Sequence, residues 1–132
     1  MFGAFDVSTS ALTAQRMRLD TISSNIANIN TTSGPNGQPY RRLAAIFQSQ
    51  QTDSGGVGVQ VSKIVEDQTT PLKARFEPSN PSADGKGFVY YPNVDLSTEM
   101  VNAIEATRAY EANITAIETT KSMMNASLRV LA

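Results

Sequence analysis

The sequence predicts an α+β fold in which long N- and C-terminal heptad helices form a coiled-coil layer and a small β-rich module is inserted between them. Three observations carry this expectation. Apolar residues recur at helical spacing over 5–29 and again over 95–131. Between those stretches lie four short runs of β-forming residues bounded by Gly and Pro. The expected division is 1–30 for the first helix, 31–93 for linker and module, and 94–132 for the last helix.

In the first segment Phe5, Leu12, Leu19 and Ile26 lie seven apart, and Ile22 and Ile29 follow the last two by three. Ala4, Ala11 and Ala14 widen the stripe. A helix over 5–29 would be roughly 35–40 Å long at 1.5 Å per residue. It meets "SSNIANINTT" (23–32), whose Asn, Thr and Ile rank low in helix propensity. The run "NTTSGPNGQP" (30–39), with its Gly-Pro and Asn-Gly pairs, then stops it.

In the middle, "YRRLAAIF" (40–47), "PLKARFEP" (71–78) and "GFVYYPNV" (87–94) are short strand candidates. The clearest is "GVGVQVSKIVED" (56–67), where Val57, Val59 and Val61 alternate with Gly58, Gln60 and Ser62 as in a half-buried strand. "EPSNPSADGKG" (77–87) reads as loop by composition.

The last segment has the strongest period. Leu96, Ala103, Tyr110, Ile117, Met124 and Leu131 lie seven apart, and Met100, Thr107, Ile114, Lys121 and Leu128 interleave four residues later. This is the 4-3 seam of a coiled coil, on a helix roughly 50–55 Å long. Asp95 or Ser97 can cap its start, and Glu99 suits the helix dipole. Ala106, Ala109, Ala112 and Ala116 flank the seam, so small residues on several sides suit more than one neighbour. Most helix stability in proteins comes from packing. Both terminal helices are therefore expected to order on assembly and to stay loose before it.

Composition narrows the chemistry. Hydrophobic residues make up 40% and charged residues 17%, both below ordinary globular usage, which argues against a thick core. Net charge is −1, and no segment is basic enough to grip nucleic acid or an acidic membrane. With no Cys and no His, a thiolate metal site and the usual nucleophile–base pairs are impossible. No Ser stands three residues before a Lys, and neither "SGGVG" (54–58) nor "DGKG" (84–87) has phosphate-loop spacing. Glu66 and Asp67 read as a solvated strand end. No enzyme activity, cofactor, metal, small-molecule substrate or nucleic acid is expected. The start of the sequence lacks the basic and apolar regions of a secretory signal, and no run approaches 18 apolar residues.

"ALTAQRMRLDTISSNIANINTT" (11–32) resembles the N-terminal motif of bacterial flagellar axial proteins, a heptad helix leading into Asn-Ile-Ala-Asn-x-Asn-Thr. "GQPYRR" (37–42) and "GFVYYPNVDLSTEMVNAIEATRAYEANITAI" (87–117) narrow the resemblance to the FlgC-type proximal-rod branch. It covers essentially the whole chain. Two departures are the short "TTSGPNGQP" linker, where larger relatives carry a glycine-phenylalanine pair, and Ser24, where the motif often has Asn.

The resemblance implies a structural subunit of the flagellar basal-body rod, the hollow helical drive shaft crossing the periplasm. It implies assembly with other rod proteins and with copies of itself, export by the flagellar type III apparatus without a cleaved signal peptide, and indirect connection to the membrane ring. The terminal helices would form the inner axial layer. Asn25, Asn28 and Asn30 would then end the first helix and turn the chain outward. Their side-chain amides would reach backbone groups, and Asn tolerates unusual backbone dihedrals. Arg108, Tyr110, Glu111 and Asn113 would contact neighbouring subunits, as would Phe5, Leu12, Leu19, Ile22, Ile26 and Ile29 on the first helix. On the last helix the same holds for Leu96, Met100, Ile114, Ile117, Met124, Leu128 and Leu131. The rival readings are another axial or adaptor component, or a small soluble coiled-coil module that recruits a partner through Tyr40, Arg41 and Arg42.

Overall fold

The computed structural model describes residues 2–132. Helix α1 runs Phe2–Ala27 and helix α2 runs Leu96–Leu131. Between them come β1 (Leu43–Gln51), β2 (Val57–Glu66), β3 (Lys73–Phe76) and β4 (Phe88–Tyr91). The strands form two separate two-stranded antiparallel sheets, β1–β2 and β3–β4. Helices of 26 and 36 residues extend about 39 Å and about 54 Å. Asp95, in extended backbone, caps α2 by accepting from the Thr98 amide at 3.0 Å and the Thr98 hydroxyl at 2.8 Å. Those two bonds hold the Asp95 carboxyl below the usual carboxylate range.

The helices pack on each other within one chain: Arg18 pairs with Glu105 at 3.3 Å, and Asn25 lies against Glu99. Higher numbers on α1 meet lower numbers on α2, so the pair is antiparallel. The sequence reading leaves both helices awaiting neighbours; here α1 already has α2 on one side and the β1–β2 hairpin on another.

The covered stripes are also rotated from the apolar ones. On α1 the buried residues are Ala14, Thr21, Ile22 and Asn25, while Phe5, Leu12, Leu19, Ile26 and Ile29 are half-buried at the margins. On α2 the buried residues are Glu99 and Ala106, and half-buried Asn113 and Thr120 continue that line at seven-residue spacing. Ala103, Tyr110, Ile117 and Met124 are half-buried too. Met100, Thr107, Ile114, Lys121 and Leu128, the other half of the expected seam, are exposed. The reason is distance. Ala14, Thr21 and Ala106 have little side chain between the backbones, so the chain elements approach closely there and the large side chains are displaced to the flanks.

In β2 the expected alternation holds from Val59 to Ser62 and is reversed only at its start. Val57 is 68% exposed although it heads the expected apolar face, and Gly58 is buried. Ser62 is an extra residue between the pairs Ile46–Lys63 and Phe47–Val61, a bulge in the ladder. At Gly58 helix α1 comes so near that an added Cβ would stand 2.4 Å from Ser10 Oγ and 3.2 Å from Ser10 Cβ. Ser10 Oγ cannot swing away freely, because it accepts from the Val59 amide at 3.1 Å and donates to the Val7 carbonyl at 2.7 Å. Gly58→Ala is expected to cost about 1–3 kcal/mol through overpacking. Urea unfolding would measure it, and adding Ser10→Ala should recover part of the loss.

Among the described residues no helix is long and apolar enough to cross a membrane.

Candidate functional site

The place where the asparagine motif leaves α1 is a buried polar junction of α1, β1 and the start of α2. Asn25 and Glu99 are both completely buried there. Asn25 treats Leu43 as one strand treats another: its Oδ1 accepts from the Leu43 amide at 2.8 Å and its Nδ2 donates to the Leu43 carbonyl at 2.9 Å. The same Nδ2 donates to Glu99 Oε2 at 3.2 Å, and the Tyr40 hydroxyl donates to Asn25 Oδ1 at 2.9 Å. Arg42 Nε donates to Glu99 Oε1. An asparagine amide can satisfy this set because it carries both a donor and an acceptor group, each able to serve two partners.

A second asparagine extends the network. Asn93 accepts from the Arg42 amide at 2.8 Å and donates to the Asp67 and Thr70 carbonyls, each at 3.0 Å. It thereby ties the end of β2, the approach to β3 and the approach to α2 to β1. Asp67 organises the turn after β2, accepting from the amides and hydroxyls of Thr69 and Thr70. These bonds, led by those from Thr70, hold its carboxyl far below the usual range.

Burial, and then the charges of Glu99 and Glu66, push the Tyr40 phenol above its ordinary value. A raised folded-state value contributes stability that is complete below about pH 10, the unfolded value, and is lost as pH climbs through the folded one. The loss of stability between about pH 9 and about pH 11 should therefore be smaller in Tyr40→Phe than in the parent chain. Urea midpoints at the two pH values measure it.

The other expected site residues are distributed as follows. Asn28 donates Nδ2 to the Ser24 carbonyl at 2.8 Å and accepts from the Thr31 hydroxyl at 3.1 Å, sealing the last turn of α1. Asn30 is exposed. No described residue other than glycine has a positive φ, so these asparagines act through their side chains and not through left-handed backbone. Leu96, Met100, Ile114, Leu128 and Leu131 are all exposed, from 37% at Ile114 to 84% at Leu131. Arg108 and Glu111 are exposed; Asn113 is half-buried and donates to the Ala109 carbonyl at 2.8 Å. Tyr40 and Arg42, the recruiting residues of the soluble-module reading, are committed inward to Asn25 and Glu99. Glu99, read from the sequence only as a dipole partner, is the buried anion of the junction. Its signal was an acidic residue at the head of the seven-residue line Glu99, Ala106, Asn113, Thr120, small and polar where large apolar residues were sought.

Comparison with known proteins agrees with this layout. Residues 5–35 match the family described as flagella basal body rod protein, and residues 86–130 match the flagellar basal body rod FlgEFG protein C-terminal family. The chain is 46% identical over 125 residues to "Flagellar basal-body rod protein FlgC" of Escherichia coli O6:H1, covering 94% of this chain and 92% of the relative. The protein of the same description from Borreliella burgdorferi is 43% identical over 149 aligned residues, covering 99% of this chain and 97% of the relative. That of Bacillus subtilis is 43% identical over 146, covering 98% and 97%. With identities of this size spanning both helices, the asparagine junction and the strands between them, the chain belongs to the FlgC family of flagellar basal-body rod proteins.

Proposed function

We propose that this chain is a structural subunit of the proximal rod, assembling with other rod proteins and further copies of itself into a hollow helical drive shaft. The shaft transmits torque and passes later export substrates through its bore. Residues 1–30 and 94–132 contribute the inner axial layer, and 31–93 the outer module. The chain reaches the periplasm through the flagellar type III apparatus without a cleaved signal peptide and connects to the membrane ring indirectly.

The observation that carries this reading is the two-sidedness of α2. One side is closed against α1. The other presents Leu96, Met100, Ile104 and Ile114 to solvent, at 49%, 52%, 53% and 37% exposure. Exposed apolar residues gathered on one side of a helix mark an interaction surface. Its work is mechanical: the buried junction fixes the module to the helices, so load applied to one is carried by the other.

Charged substitutions on the open side test this. Met100→Glu with Ile114→Glu is expected to abolish swimming and rod incorporation when it replaces the parent gene. Its urea midpoint should stay within experimental error of the parent's, because both sites are exposed. Full motility with normal incorporation would overturn the reading.

A further inference from the structure

The Asn36–Gly37 pair takes no part in the hydrogen bonds of the buried junction. It closes a tight turn in the loop between α1 and β1. The Gly37 amide donates to the Gly34 carbonyl at 2.9 Å, with Pro35 and Asn36 at the centre of the turn. The Gly34 amide donates to the Gln38 carbonyl at 2.7 Å. Asn36 and Gly37 are both exposed. Gly37 has a φ of +75°, and nothing lies within 4 Å of the place a Cβ would take. Its peptide nitrogen is therefore shielded by no side chain of its own and by no neighbour there.

We propose that Asn36 is the chain's site of spontaneous deamidation, and that the turn sets its rate. The Gly37 nitrogen loses its proton to solvent base and bonds to Asn36 Cγ. The Cγ–Nδ2 bond breaks, ammonia leaves, and a succinimide ring remains. Water then opens the ring at either carbonyl, giving aspartate or isoaspartate and one more negative charge. While the turn is closed, the attacking nitrogen keeps its proton in the bond to Gly34, so the reaction waits for the turn to open. Isoaspartate routes the main chain through the former side chain and adds a methylene to it, so the four-residue turn is lost. The reaction needs no partner and is independent of the rod-subunit reading.

None of the other eight asparagines offers the same combination. Asn25, Asn102, Asn113 and Asn125 lie within helices, and each is followed by Ile or Ala. Asn28 donates its amide to the Ser24 carbonyl, and Asn93 donates to the Asp67 and Thr70 carbonyls. Asn30 precedes Thr31, whose branched side chain crowds the nitrogen. Asn80 precedes Pro81, which has no N–H to lose.

The test ages the full chain at neutral and mildly alkaline pH, in native buffer and in urea, and locates conversion by fragmenting tryptic peptides in a mass spectrometer. Position 36 is expected to convert at least about tenfold faster than any other asparagine, since only there does the next residue lack a Cβ. Conversion should quicken with pH, and urea should quicken it further by opening the turn. No conversion at position 36, or faster conversion at another asparagine, would overturn the site. Equal rates in native buffer and in urea would overturn the control by the turn.

Discussion

Asn25→Asp is expected to lower stability by about 3–5 kcal/mol, although it changes one atom and leaves no cavity. The amide nitrogen now donates to the Leu43 carbonyl and to Glu99 Oε2, at 2.9 and 3.2 Å. In the aspartate a bare oxygen would face both acceptors, and a second carboxylate would enter a fully buried place beside the first. Asn25→Ala removes the charge problem but strands the Leu43 amide, the Leu43 carbonyl and the Tyr40 hydroxyl. Each unsatisfied buried group costs about 1–3 kcal/mol before water enters, so about 2–4 kcal/mol is expected. Urea unfolding monitored by circular dichroism would rank the two, with Asp below Ala. Equal, small effects would mean that the junction does not hold the hairpin to the helices.

The ion pair within the junction should respond asymmetrically. Arg42→Met leaves the Glu99 carboxylate buried without its cation, a loss of about 3–5 kcal/mol. Glu99→Gln leaves the Arg42 side chain, 26% exposed, free to turn toward water, so the loss should be smaller. Removing both partners with Arg42→Met and Glu99→Leu should recover much of what Arg42→Met loses, since no unpaired charge remains inside. A double variant no more stable than Arg42→Met would show that packing, and not charge, sets the cost. The Arg18–Glu105 pair offers a contrast: with Glu105 62% exposed, breaking it should change stability by less than about 1 kcal/mol.

Much of the fold was readable in advance, and the parts that were not share a cause. The helices, the strands near 57–66 and 88–91, and the Asp95 cap followed from periodicity, from Pro and Gly, and from capping chemistry. The role of Asn25 was anticipated in kind, an amide meeting backbone, but not in its partner, because Leu43 lies eighteen residues away. The stripe closed within the chain was not anticipated, while expected interface residues such as Leu96, Met100 and Ile114 stand open to solvent. Periodicity weighs large apolar residues, whereas here closeness is set by Ala14, Thr21 and Ala106, and the large residues stand to the side. The burial of Gly58 was hidden as well, since nothing in the alternation of the valines shows that Ser10 of α1 comes close there. Glu99 and Arg42, fifty-seven residues apart, could be joined only once α1 had brought the start of α2 beside the residues that lead into β1.

The central claim is that α2 has one side closed within the chain and one side closed only by neighbours in the rod. The chain has no cysteine, so single cysteines can be placed at will. The decisive measurement is maleimide labelling of Ile114→Cys and Ala106→Cys, each in the free chain and in intact basal bodies. Position 114 should label rapidly in the free chain and resist in the basal body, while position 106 should resist in both. Equal labelling of position 114 in the two states, or rapid labelling of position 106 in the free chain, would contradict the account.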